Sequence, residues 1–467
     1  MAACSPSSAG LPTRDNVPVR TIEALEHRDA GAALRRLATP NALAMVGDQL
    51  LGIVDTIAIG SLGTAALAGI TAATGIFMVL GIGLFAFGSG LRIVGAQAIG
   101  AGESARFGAV VRAAAVTPLL IAVAAALGSM LFAGPLLHLI LPHGTAVAPS
   151  ANYLMLRSFC LIPMVLSGLL IVAWATAGDG SLALRVLAVI NVVHIPLVFV
   201  LALGVGTGRA FGLAGAGASS LIAELIGLTY AIWQTRRRPQ YGIFTSLHID
   251  RALVGLTARL SWPEFVFLVL QIVPEPVTIG LLAPAGAEAV AAFRALSLVS
   301  DVTWSLPGSL GDASEVLLGQ RIGARDYPGA RAFFRSSSRL SLIVCGAVGL
   351  AFAAAAWPLA ALVTLSPALA SLAAFPLAVH VGITLPLKGY AMSALAPIRA
   401  SGDTRFVMLM GIATSGVALG AIAFGIRGLA LGLWAVPLGW TIAWVVRSLI
   451  TTLRVRSGDW ERRRLMP

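Results

Sequence analysis

Apolar residues run along the chain in about a dozen blocks of roughly 20, separated by short polar connections. A helix rises about 1.5 Å per residue, so each block is long enough to cross about 30 Å of hydrocarbon. The first half of the chain predicts helices over residues 41–60, 66–95, 109–135, 151–176, 184–206 and 212–234. In the second half they fall over 256–283, 287–317, 336–365, 370–398, 405–425 and 428–452. The fold class expected is therefore all-α, a polytopic membrane protein of twelve transmembrane helices.

Composition agrees: 58% of the 467 residues are apolar and 11% charged, and the mean hydropathy is +0.90. A net charge of +12 would suit a nucleic-acid binder, but its distribution points elsewhere. Arginines gather in alternate connections (Arg35 and Arg36, Arg106 and Arg112, Arg236 to Arg238, Arg321 to Arg335, Arg399 and Arg405) and in the tail from Arg454 to Arg464. That is the positive-inside pattern of a protein with both termini cytoplasmic. The partner implied is a lipid bilayer, with no nucleic acid. Residues 1–33 are polar and lack the apolar core of a signal peptide, so a flexible cytoplasmic arm is expected there, and residues 456–467 form a basic cytoplasmic tail. Cys4, Cys160 and Cys345 have no paired spacing, histidines and carboxylates lack metal-ligand spacing, and no phosphate-binding glycine loop with its lysine is present. No cofactor, metal or direct ATP drive is implied.

The chain also repeats itself. Residues 40–112 lie over residues 263–335 at a constant offset of 223: Pro40 falls on Pro263, Gly63 on Gly286, Ala68 on Ala291, Gln97 on Gln320, Gly100 on Gly323 and Arg112 on Arg335. Further along, Ala177-Gly178-Asp179 matches Ser401-Gly402-Asp403. Each half holds six spans, so both halves enter the membrane in the same sense. Two six-helix lobes, 34–238 and 239–455, are expected around a pseudo-two-fold axis along the membrane normal, with a substrate site between them.

The residues of this repeat resemble those of the multidrug and toxic compound extrusion family, bacterial type. They are Pro40, Val54-Asp55-Thr56, Gly60-Ser61-Leu62-Gly63, Gly95-Ala96-Gln97-Ala98-Ile99-Gly100 and Ala177-Gly178-Asp179 in the first half, and Gly319-Gln320-Arg321-Ile322-Gly323 and Arg399-Ala400-Ser401-Gly402-Asp403-Thr404 in the second. No one motif is diagnostic; their order and spacing are. The resemblance implies two lobes around a central cavity and efflux driven by inward movement of protons or sodium ions.

Candidate chemistry rests on charges inside the spans, each costly in hydrocarbon unless it faces protein or water. Asp55 lies in the first span at the position of the family's coupling aspartate, and Asp48 sits two turns earlier on nearly the same face. In span five, Asn191 and His194 share a face with Val198. Bacterial family members commonly carry asparagine and aspartate where His194 and Val198 stand, which argues against a sodium site and leaves His194 either as Asp55's proton partner or as a structural histidine. Gln271 and Glu275 in span seven, Asp301 in span eight, and Lys388 (the only lysine) with Tyr390 in span ten are expected to line a substrate cavity suited to cations, or else to pair internally. Arg92 and Glu315 are equivalent in the repeat, opposite in charge and near the arginine-rich face. They are expected to pair as a cytoplasmic gate, with Asp312 as alternative partner, the other reading being that each meets water or headgroups separately.

The function expected is export of a small cationic or amphipathic compound, drug-like or natural, in exchange for protons by a monomer in the bacterial cytoplasmic (inner) membrane. A flippase for a lipid-linked or polyanionic substrate is the alternative; it should place arginines in its cavity. No cluster of catalytic groups at a shared membrane surface suggests an enzyme.

Overall fold

The computed structural model describes residues 30–141, 147–463 and 465. Within them are sixteen α-helices and no β-strand. The N-terminal lobe contains α1 (Ala30–Gly60), α2 (Thr64–Phe85), α3 (Gly88–Gly100), α4 (Ser104–Ile140), α5 (Val147–Thr176), α6 (Ser181–Leu203) and α7 (Gly212–Arg236). The C-terminal lobe contains α8 (Arg251–Gln271), α9 (Pro274–Leu282), α10 (Ala287–Gly323), α11 (Tyr327–Ala354), α12 (Ala356–Thr364), α13 (Pro367–Ala400), α14 (Thr404–Arg427) and α15 (Ala435–Arg456), followed by the one-turn α16 (Asp459–Arg462). Among the described residues eleven passages are long and apolar enough to cross a membrane. With α1, 31 residues long, they make the twelve expected. That helix is already formed at Ala30; the rest of the expected arm, and Arg464, lie outside the described residues.

Three passages are interrupted, each for a local reason. Pro274 cannot donate a backbone hydrogen bond, and α8 stops at Gln271 before it. Pro358 stands in the first turn of α12, just after the break that ends α11. No proline separates α2 from α3. There the ladder tightens, with Phe87 N donating to Leu84 O, and Ser261 of α8 takes over the groups released: Gly90 N donates to its Oγ (3.0 Å), which donates to Phe87 O (3.1 Å). Pro307 does not end its helix, since α10 runs from Ala287 to Gly323.

The repeat is visible in the packing. Helix α1 packs on α10 and α11 of the opposite lobe, and its counterpart α8 packs on α2, α3 and α4. Gly63 and Gly286, equivalent residues, begin α2 and α10 with φ of 107° and 101°, a region that glycine enters without a Cβ clash. The lobes differ inside. One continuous apolar cluster fills the N-terminal lobe, whereas that of the C-terminal lobe is cut in two. Between its halves, at mid-depth on α10 and α13, lie Ser300, Asp301, Thr384 and Lys388.

Candidate functional site

In the N-terminal lobe α1 and α6 pack closely enough that a Cβ at Gly47 would meet Leu187 at 2.7 Å and the Asn191 amide at 4.0 Å. One turn farther along α6, His194 Nε2 stands 2.6 Å from Asp55 Oδ1. The imidazole is 2% exposed and the carboxylate 18%. At that separation a hydrogen bond joins the imidazole and the carboxylate. Asn191 Oδ1 is buried without a hydrogen-bond partner beside it. Asp48 is exposed, yet it interacts electrostatically with Asp55 and with Arg157 of α5.

Arg157 and Glu224 complete this cluster, and neither was singled out from sequence. Arg157 lies over the Phe77 ring at 4.3 Å and interacts with Asp55 and Glu224. Its Nε and Glu224 Oε2 are both buried without a hydrogen-bond partner. A signal was available: each is a lone charge inside an apolar span, where charge is expensive.

The C-terminal lobe separates the residues that its sequence grouped. Helix α8 ends at Gln271 and α9 begins at Pro274, so Gln271 and Glu275 stand on different helices. Gln271 donates to Ser415 Oγ (3.2 Å), and Tyr390 shares a hydrogen bond with Thr452 (2.8 Å). Arg294 pairs with Glu275, which also accepts from Ser297 Oγ (3.0 Å). Lys388 is buried and donates to Ser300 Oγ at 2.9 Å, a hydroxyl that also meets His380 Nε2 at 3.3 Å. Asp301, exposed, is within electrostatic reach of Lys388 and Glu275. Sequence reasoning passed over His380 and Arg447. Arg447 is 3% exposed, and both its Nε and Nη2 donate to the one hydroxyl of Thr414 (3.0 and 2.7 Å). It was hidden because the last span was expected to end at residue 452, which makes Arg447 a helix-end charge; α15 continues to Arg456.

At the arginine-rich end the lobes meet. Arg92 Nη1 lies 2.6 Å from Asp312 and its Nε 3.6 Å from Glu315, so the expected pairing forms with the order of partners reversed. Beside it Arg399 holds Glu264 through two bonds of 2.8 and 3.0 Å, and the two pairs interact with one another. The backbone follows the repeat here: Gln97 donates to Ala400 O and Gln320 to Thr176 O, each at 2.8 Å. Gly100 and Gly323 are the reason the helices approach so far, since a Cβ at either would overlap the backbone at Gln320 or Gln97. The two Gly-Asp connections follow this interface. Asp179 accepts from Ser181 N (2.9 Å) and pairs with Arg238 (3.0 Å); Asp403 caps nothing and binds Arg454 (2.7 Å) and Arg463 (3.0 Å).

The MatE family model matches residues 40–200 and 263–443, segments that begin 223 residues apart, as the repeat does. The chain is 27% identical to the probable multidrug resistance protein YoeA of Bacillus subtilis (strain 168) over 316 residues, 66% of this chain and 67% of that one. It is 25% identical to the probable multidrug resistance protein NorM of Caulobacter vibrioides over 489 aligned positions, 98% of this chain and 96% of that one. Among solved structures, the outward-facing conformation of a multidrug resistance MATE family transporter of the MOP superfamily superposes with a TM-score of 0.86 at 18% identity, covering 97% of this chain and 100% of that one. Two matched segments in register with the internal repeat, on two six-helix lobes that meet at one end, make this chain a member of the MatE family, of membrane transporters and not of enzymes.

Proposed function

We propose that the protein is a secondary active efflux antiporter of the bacterial cytoplasmic membrane, exporting a small cationic or amphipathic drug-like or natural compound in exchange for protons. The observation that carries this reading is the 2.6 Å contact between Asp55 and His194. A carboxylate hydrogen-bonded to an imidazole is a pair through which a proton can pass, and the carboxylate is the more accessible of the two. Val198 at the next turn of α6 offers no oxygen, so a sodium ion would lack the several oxygen ligands it needs there. The acids Asp48 and Glu224 supply the negative wall for a cation, and the names of the bacterial relatives agree with drug extrusion.

Alternation follows from the interface at the arginine-rich end, taken as cytoplasmic from the arginine distribution. Arg92, Asp312 and Glu315 close that side, and release of substrate is then to the opposite side. The monomer is the transporting unit in this reading.

A flippase for a lipid-linked or polyanionic substrate keeps some support from Arg157, Lys388 and Arg447. Proteoliposomes loaded with a fluorescent lipophilic cation test both. Proton-driven movement of the cation in sodium-free buffer is expected. Movement that requires a sodium gradient would overturn proton exchange, and transfer of a lipid-linked polyanion without the cation would favour the flippase.

A further inference from the structure

Lys388 and Arg447 stand on α13 and α15, which pack against each other. Lys388 is 6% exposed and Arg447 3%. They are within electrostatic reach of one another, and among the described residues no carboxylate lies within ion-pair distance of either. Lys388 has the Ser300 hydroxyl, and Arg447 the Thr414 hydroxyl. Two buried like charges bonded only to neutral oxygens repel, and the one carboxylate within electrostatic reach of Lys388, Asp301, is exposed and lies beyond ion-pair distance. Trp444 links them: the Arg447 guanidinium lies 4.5 Å from its ring centre and Lys388 Nζ 6.0 Å.

Around these cations the same two helices leave polar atoms unpaired. Trp444 Nε1, Ser448 Oγ and Thr441 Oγ1 on α15, with Thr384 Oγ1 and His380 Nδ1 on α13, are all buried without a hydrogen-bond partner. His380 and Thr384 stand two turns and one turn before Lys388, and Trp444 and Ser448 flank Arg447, so they belong to the facing surfaces of the two helices. The N-terminal cluster carries three acids, Asp48, Asp55 and Glu224, against Arg157. Here the sign is inverted.

We propose that the C-terminal lobe binds a monovalent anionic group between Lys388 and Arg447 on Trp444. The ligand is a carboxylate of an organic compound or a small inorganic anion. Both present a single negative charge with several lone pairs, which is what two cations, an indole N–H and the unpaired hydroxyls lack. Burial of both cations favours a weakly hydrated ligand over a strongly hydrated one, because the ligand must shed its water to reach them. This inference is independent of proton exchange at Asp55 and His194, because it concerns binding alone and not transport.

The test uses the purified full-length transporter in detergent. Its thermal midpoint is followed while sodium benzoate, for the carboxylate, or sodium bromide, for the inorganic anion, is titrated in. Wild type is compared with Lys388→Met and Arg447→Gln. Removing an unpaired buried charge is tolerated or stabilising, so both variants are expected to fold. A saturable rise of a few degrees in wild type, absent from both variants, is the expected result. A rise with benzoate alone assigns the site to an organic carboxylate, and with bromide alone to an inorganic anion. Equal rises in all three proteins, or no saturable rise with either salt, would overturn the proposal. Should one variant fail to fold, the other decides the comparison.

Discussion

The two lobes share one register yet treat charge in opposite ways. In the N-terminal lobe, where the apolar core is continuous, Asp48, Asp55 and Glu224 gather around Arg157 and His194. Across the pseudo-two-fold axis the core is split, and among the described residues the buried basic groups outside its ion pairs are Lys388, Arg447 and His380. Two carboxylates of this lobe are committed elsewhere, Glu275 to Arg294 and Glu264 to Arg399, while Asp301 stays exposed within reach of Lys388. A count of charges by half therefore misleads. What matters is which charges remain without an opposite partner at mid-depth, because only those are free to answer a substrate or an ion.

If that contrast is functional, the lobes should respond differently to neutralisation. Asp55→Asn keeps the shape and removes the proton acceptor, so proton-driven export in proteoliposomes should fall by about 100-fold, the order lost with a proton-transfer group. Lys388→Met should lower export of the same organic cation by less than about tenfold. Equal losses from the two variants would erase the distinction. The interface between the lobes is the next lever. Arg92→Asp strands Asp312 and Glu315 beside a third acid and should cost about 2 kcal/mol of the closed state, less than a fully buried pair because Asp312 is 36% exposed. Adding Asp312→Arg should restore part of the transport, and additive losses in this double-mutant cycle would show that the two groups act separately.

A smaller effect sharpens the N-terminal side alone. His194→Ala removes the 2.6 Å partner of Asp55, and the pH profile of export should change. An unmoved profile would make His194 a packing residue. The smallest concerns the Asp179 turn, outside the spans. Burial works to raise the pKa of this carboxyl, but hydrogen bonds from Ser181 and the charges of Arg238 and Arg185 outweigh it and hold it below the ordinary value. A depressed folded-state pKa means that the stabilisation is present above the unfolded value and is lost as pH falls through the folded one. Asp179→Asn should thus cost about 1 kcal/mol at neutral pH and nothing in strong acid, as read by thermal unfolding in detergent. The Asp403 turn, bound by Arg454 and Arg463, gives the matching comparison in the other lobe.

Much of this molecule was written along the chain, because the bilayer imposes a length on every apolar block and the translocation machinery imposes a sign on its connections. Twelve spans, two lobes and the equivalence of Arg92 with Glu315 are properties of spacing, and spacing survives without a fold. So is the candidacy of Asp55, a carboxylate too deep in an apolar block to be incidental. The face on which a charge lies, and its partner, depend on how helices rotate against neighbours from distant parts of the sequence. Gln271 and Glu275 belonged to one expected span until α8 stopped before Pro274, and the partners of Arg447 show only in the packing of α15 on its neighbours. Only packing brought Arg157 and Glu224 to Asp48, turned Arg92 toward Asp312 ahead of Glu315, and left Lys388 and Arg447 together with no carboxylate at ion-pair distance among the described residues. Hydrophobic length is a local quantity, and pairing inside a low-dielectric bundle is not.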